Sequence, residues 1–269
     1  MNRVILVLSD GMRYDTAVAA MGFLGHMVEI KQASLYKVFG DLPSFSRPMY
    51  ETIHTGLPSS EHGVVSNSVV RLSTKANIFQ LVKDAGKVTA AAAYSWFSEL
   101  YNRVPYNPVD DKEVDDENLS IQHGRFYLQD DYPDAELFTT AATLVRRFSP
   151  DYLLIHPMGM DYFGEIYGPD SSQYRNQAIR QDAILAPFIV EWNERGYTIL
   201  FTSDHGITKD RTHGGTTPAA REVPLFLIRP DVEEFGDTKE TISQLQIAPT
   251  ICKILDILIP GGMKHPPVI

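Results

Sequence analysis

Cysteine is almost absent from this 269-residue chain. The single Cys252 excludes an intrachain disulfide and a thiolate zinc cluster, so any bound metal must take oxygen and nitrogen ligands. Cys252 itself reads as a buried, inert side chain on a helix. Long hydrophobic runs are missing too. The first apolar stretch, Val4 to Leu8, is too short to span a bilayer and lacks a cleavage-site pattern, and no later segment approaches about 20 apolar residues. A cytoplasmic location without membrane engagement is the resulting expectation. Positive charge is the third deficit, since 24 Lys and Arg against 34 Asp and Glu leave a net charge of -10. Phosphate backbones reward basic surfaces, so no nucleic-acid polymer is expected as a partner. Internal repeats, low-complexity tracts and domain-dividing linkers are likewise missing from the sequence.

What is present is enough apolar residue, 43% of the chain, to bury one large core, and residues 1–269 read as a single domain. Short apolar runs predict strands at Arg3 to Ser9, Lys37 to Gly40, Lys87 to Tyr94, Tyr152 to Ile155, Tyr197 to Thr202 and Pro224 to Ile228. Helices are predicted near Asp15 to Lys31, Arg47 to Thr55, Asn77 to Ala85, Ala135 to Phe148, Ser171 to Arg195 and Ile242 to Leu255. This alternation describes an α/β fold, a doubly wound, mostly parallel sheet with helices on both faces. Residues 99–134, rich in Asp, Asn, Pro and Tyr, break the alternation and are expected to form a small cap or loop insertion.

In such sheets ligands bind beyond the carboxyl ends of the strands. Three predicted strands end in acidic residues: Asp10 after the first, Asp161 six residues beyond the fourth, and Asp204 with His205 after the fifth. Any one Asp alone reads equally as a helix cap or turn residue. Gathered at one sheet edge they would repel each other unless cations lay among them. His213, in a glycine loop eight residues after His205, can fold back toward that edge, which makes a shared metal site the economical reading. Ser46, just before Arg47-Pro48, falls at the start of a predicted helix. It could serve only as a cap. At a helix N-terminus, however, free N–H groups also favour an alkoxide and a bound phosphoryl group, and a coordinated metal would supply the activation that a serine hydroxyl needs.

Longer blocks carry a family resemblance. They are Leu8-Ser9-Asp10-Gly11-Met12-Arg13, Ser46-Arg47-Pro48, His54 to Asn67, Met158 to Pro169, Thr202 to Gly206, His213-Gly214 and Arg221 to Phe226, in family order over most of the chain. The sequence resembles the alkaline phosphatase superfamily, in particular its type I phosphodiesterase/nucleotide pyrophosphatase-like branch. The resemblance implies two divalent metal ions, one held by Asp10, Ser46, Asp204 and His205, the other by Asp161, Glu165 and His213. It implies Ser46 as nucleophile and Asn67 as a donor to a phosphoryl oxygen. Arg47 is a weaker candidate for phosphate contact. His26, His54, His62, His123, His156 and His265 fit no ligand slot, and His156 is expected to hydrogen-bond a ligand rather than serve as one.

Glu165 departs from the family, whose members usually carry histidine there. A carboxylate makes the site oxygen-richer, which favours manganese, magnesium or iron over zinc, with manganese the expected ion. It could also be a non-ligand beside a depleted site, or the mark of a pseudoenzyme. The implied activity is metal-dependent hydrolysis of a small-molecule phosphate ester, a phosphodiester or a phosphomonoester, through a phosphoseryl intermediate. Two alternatives stay open: a manganese-dependent phosphomutase-like transfer, whose relatives usually carry a large second domain, and a non-catalytic phosphate-ligand binder. A sulfatase is disfavoured because Ser46-Arg47-Pro48-Met49-Tyr50 lacks the arginine that follows later in the sulfatase nucleophile motif.

Overall fold

The computed structural model describes residues 2–269. Its elements run β1 (Arg3–Leu8), α1 (Tyr14–Ala20), α2 (Gly22–Glu29), β2 (Ser34–Phe39), α3 (Ser46–Thr55), α4 (Ser59–His62), α5 (Ile78–Asp84), β3 (Thr89–Tyr94), α6 (Trp96–Tyr101), β4 (Glu113–Asp115), β5 (His123–Tyr127), α7 (Asp134–Phe148), β6 (Tyr152–Ile155), α8 (Gly159–Tyr167), α9 (Ser172–Glu194), β7 (Tyr197–Thr202), α10 (Pro218–Arg221), β8 (Glu222–Ile228), β9 (Gly236–Ser243) and α11 (Ile247–Leu255). Among the described residues nine strands form one sheet in the order β4-β5-β3-β6-β1-β7-β8-β2-β9. It is parallel except where β8 runs against β7 and β2 and β4 against β5.

β1 lies at the centre because it is apolar on both sides. Ile5 and Val7 face one core with α2, α7 and α9, whereas Val4, Leu6 and Leu8 face a second with α3, α5, α6 and α11. Alternate side chains of a strand point to opposite faces, so a continuous apolar run marks a strand covered on both sides. The α/β class with helices on both faces is therefore as the sequence implied. Among the described residues no helix is long and apolar enough to cross a membrane.

Local differences have local causes. The helix predicted from Asp15 to Lys31 breaks at Met21 into α1 and α2, where Asp182 of α9 accepts from Phe23 N (2.7 Å) and Leu24 N (3.1 Å) and starts a fresh helix. The predicted helix start at Ile242 is instead the end of β9, an edge strand paired with β2, and α11 begins at Ile247 after a 3₁₀ turn capped by Ser243. Residues 99–134 include β5, which pairs in parallel with β3, and β4, which covers β5 at the sheet edge. The segment thus extends the sheet. Its charged strands alternate poorly, so their pairing was not visible as an apolar run.

Candidate metal centre

The strand ends at the middle of the sheet, β6-β1-β7, bring the acidic residues together. Past Leu8 the chain turns through Asp10 and Gly11, with Asp10 N hydrogen-bonded to Pro157 O beyond β6 (3.0 Å) and Ser9 N to Thr202 O of β7 (2.8 Å). Gly11 sits at φ +72°, and a Cβ there would lie 2.7 Å from Asp161 Cα. Only glycine lets the β1 turn press so closely on α8, which carries Asp161.

Asp10 is fully buried and its two oxygens have different neighbours. Oδ2 accepts from the Tyr50 hydroxyl and from His156 Nε2 at 3.1 Å. Oδ1 has no hydrogen-bond partner and stands 3.3 Å from His205 Nε2. His205 Nδ1 must carry the proton, because it faces the Gly206 carbonyl at 3.2 Å. Burial, followed by the neighbouring His213, pushes His205 down to about 3, so the ring is neutral and Nε2 offers a lone pair. That lone pair faces Asp10 Oδ1, Asp204 Oδ2 at 3.2 Å and the Ser46 hydroxyl at 3.1 Å. The hydroxyl is placed to donate to it.

Asp204 Oδ2, Asp161 Oδ1 and His213 Nδ1 are also buried without partners. His213 stacks on His205 with ring centroids 4.0 Å apart, and its Nε2 lies 3.4 Å from Glu165 Oε1 and 4.0 Å from Asp161 Oδ1. The loop can carry it there because Gly214, at φ +91°, leaves room for the Phe45 ring, which a Cβ would meet at 2.3 Å. Ligand atoms fall into two groups, each within 4.8 Å of one another: Asp10 with Asp204 and His205, and Asp161 with His205 and His213. The second group differs from the implied set in using His205, with Glu165 reached through His213.

Burial raises Asp204 and Asp161 well above the usual carboxylate range, reinforced in both by the charge of Asp10. For Asp10 burial pushes in the same direction, but the hydrogen bond from His156, with the neighbouring imidazoles and the Tyr50 hydroxyl, outweighs it and brings the group to about 2. Acceptors without donors, a histidine lone pair turned toward carboxylates and mutually repelling acids are what a cation would relieve. The residues fit divalent ions.

Ser46 opens α3, buried, with Arg47 N donating to Asn67 Oδ1 at 3.0 Å. Asn67 is therefore brought to the Ser46 end of the helix. The Arg47 side chain points elsewhere: it is buried, Nη2 donates to Glu99 Oε2 at 2.7 Å, and the guanidinium lies 4.4 Å from the Trp96 ring centre. Arg47 Nε and Nη1 are buried without hydrogen-bond partners, so the pairing with Glu99 leaves donors over. Tyr50 was not anticipated. Its spacing of four from Ser46 on one helix, hence on one face, was the available signal.

A serine at a helix start beside acids and histidines on the carboxyl ends of a parallel sheet places the chain in the alkaline phosphatase superfamily. Within it the chain belongs to the type I phosphodiesterase/nucleotide pyrophosphatase family, whose model matches residues 4–215. Curated relatives include GPI ethanolamine phosphate transferase 3, catalytic subunit, of Mus musculus, 24% identical over 97% of this chain and 25% of that protein. GPI ethanolamine phosphate transferase 2 of Schizosaccharomyces pombe is 29% identical over 42% of this chain and 17% of its own length. The chain spans about a quarter or less of these relatives. Among solved structures, murine ectonucleotide pyrophosphatase/phosphodiesterase 5 superposes with a TM-score of 0.71 at 13% identity, covering 96% of both chains. A phosphonate monoester hydrolase from Silicibacter pomeroyi gives 0.68 at 14%, over 100% of this chain and 76% of the other. At such identities the shared feature is the fold.

Proposed function

We propose that this chain catalyses phosphoryl transfer from a small-molecule phosphate ester to Ser46 and then to water, as a metal-dependent phosphoric ester hydrolase. The observation that carries this reading is the Ser46 hydroxyl, at the start of α3 and 3.1 Å from His205 Nε2, facing the cluster that holds the unpartnered Asp10 Oδ1 and Asp204 Oδ2. Asp10, Ser46, Asp204 and His205 would hold one divalent ion and Asp161, Glu165 and His213 the other. Bound there, the ions supply Lewis-acid activation of the serine oxygen and neutralise charge on the phosphoryl group. With the Glu165 carboxylate in the second set, manganese is favoured, and zinc, magnesium or iron are the alternatives.

The protein's own contribution is positioning. α3 places Ser46 Oγ at its N-terminal end, where the helix dipole favours the developing anion. Asn67 Oδ1 is taken by Arg47 N, which leaves its Nδ2 hydrogens for a phosphoryl oxygen. The P–Oγ bond forms as the bond to the leaving alcohol breaks, and attack of water on the phosphoseryl group returns the Ser46 hydroxyl. The family match favours a diester. Alcohol as the second acceptor, a transferase outcome, is a second reading, favoured by the relative named as an ethanolamine phosphate transferase and aligned over 97% of this chain.

The test is turnover of bis(p-nitrophenyl) phosphate and p-nitrophenyl phosphate by metal-stripped protein with Mn2+, Zn2+ or Mg2+ restored. Ser46→Ala should lose turnover while keeping its fold; unchanged turnover would remove Ser46 from its role. Products analysed with ethanolamine present separate hydrolysis from transfer.

A further inference from the structure

Asp134 belongs to neither proposed ligand set, yet it sits between them. It opens α7 and is buried, and its two oxygens accept three hydrogen bonds: Oδ1 from Gly159 N at 3.3 Å, Oδ2 from Gln177 Nε2 at 2.8 Å and from Gln181 Nε2 at 2.9 Å. Gln181 Oε1 in turn accepts from Ser9 Oγ at 2.8 Å. Gly159 is the first residue of α8, two before Asp161; Ser9 directly precedes Asp10. We propose that Asp134 is a positioning residue that holds the Asp161 end of the centre in register with the Asp10 end, an inference that rests on the two-ion reading above.

The chemistry of the network suits that role. A buried carboxylate is costly unless hydrogen bonds replace its water, and here three N–H groups do so. One of them is the leading N–H of α8, so the negative charge also meets the positive end of that helix dipole. Gln177 and Gln181 are one turn apart on α9, so a single carboxylate fixes α8 and α9 together. Packing admits nothing larger, since a Cβ at Gly159 would lie 2.3 Å from Gln177 Nε2 and 2.7 Å from Asp134 Oδ2. An aspartate supplies two acceptor oxygens, whereas an asparagine supplies one and must turn its own donors toward the glutamine amides.

Calorimetric titration of the metal-stripped full chain with Mn2+ tests the proposal. Wild type should bind two ions, and in Asp134→Ala one of them should weaken by about 10- to 100-fold, the usual effect of losing a ligand's supporting partner. In an Asp161→Ala background, which keeps only the Asp10 end, adding Asp134→Ala should change Mn2+ affinity by less than about twofold, as expected for independent sites. Should Asp134→Ala fail to fold by circular dichroism, Gln181→Leu, which cuts the path at its middle, is measured for the same selective loss. Wild-type affinities in the folded variant, equal weakening of both ions, or the same loss in the Asp161→Ala background would overturn the positioning role. Fewer than two ions in wild type would overturn the two-ion reading and this role with it.

Discussion

Gly11→Ala is the sharpest probe of how the centre is assembled, because Gly11 is where the Asp10 turn touches α8. The added methyl would sit 2.7 Å from Asp161 Cα, 2.9 Å from Asp161 N and 3.0 Å from Asp161 Cβ. Carbon atoms rest at about 3.5 Å or more, so the turn and α8 must part by about 0.8 Å. Holding alanine at φ +72° costs about 1–2 kcal/mol. Relieving the overlap costs about another 1–3 kcal/mol, so a net loss of about 2–5 kcal/mol follows. At about 2–4 °C per kcal/mol for a domain near this size, the melting temperature should fall by about 4–20 °C. Mn2+ affinity should fall as well, because Asp10 and Asp161 move apart. Gly25→Ala is the control: it lies inside α2 with nothing within 4 Å of the new methyl, and should be neutral or stabilise by up to about 1 kcal/mol. Differential scanning fluorimetry and calorimetry read both effects. A Gly11→Ala protein with wild-type melting and Mn2+ affinity would refute the claim that this close contact sets the geometry.

Glu165→His should move metal preference toward zinc, read as the ratio of Zn2+- to Mn2+-supported turnover and of the two affinities; an unchanged ratio would mean that Glu165 does not help choose the ion. Because burial and the charge of Asp10 raise Asp204 and Asp161, ion binding should expel protons, seen as a Mn2+ binding enthalpy that varies with the ionisation heat of the buffer; no variation would contradict it. His54, a member of neither proposed ligand set, is pushed down by burial from 6.5 to about 4, so its folded form is neutral. A depressed value means stability that is complete above about pH 6.5 and lost as pH falls toward 4, worth up to about 3 kcal/mol. His54→Gln should flatten the acid side of the melting profile over that window, and an equally steep fall would assign the acid sensitivity to other groups.

How much of this was legible in the chain depends on what kind of signal each part leaves. β1, β6 and β7 were readable because strands covered on both faces are unbroken apolar runs, and the residues that follow them were therefore placed at the site. β9 was not, since Gly236–Ser243 is an edge strand with Asp237, Lys239 and Glu240 exposed or half-buried, and pairing there rests on backbone hydrogen bonds to β2. The acids and histidines of the centre were all named from the sequence, and the structure gathers them. The shared position of His205 between two groups could not be read, because it depends on ring stacking with His213 across a loop. Asp134, Gln177 and Gln181 carry no motif at all; they matter through a network that only the packing of α7, α8 and α9 creates.

The net charge of -10 then has a local explanation at the site itself. A protein this acidic, with Asp10, Asp161, Glu165 and Asp204 beyond the ends of neighbouring strands, would repel a phosphate ester on approach. The Arg47 guanidinium is paired through Nη2 with Glu99, a fifth carboxylate, and so does not neutralise these four. Four carboxylates against two neutral-capable histidines leave the centre short of positive charge by an amount that two divalent ions supply. Glu165, half-exposed and four residues from Asp161 on the same face of α8, adds the last of those charges where family members usually carry histidine. As a ligand it would raise attraction for a hard cation while lowering that cation's power to polarise what it binds. The trade predicts an enzyme that holds manganese well and depends on the placement of Ser46, rather than on a strongly acidic zinc, for its rate.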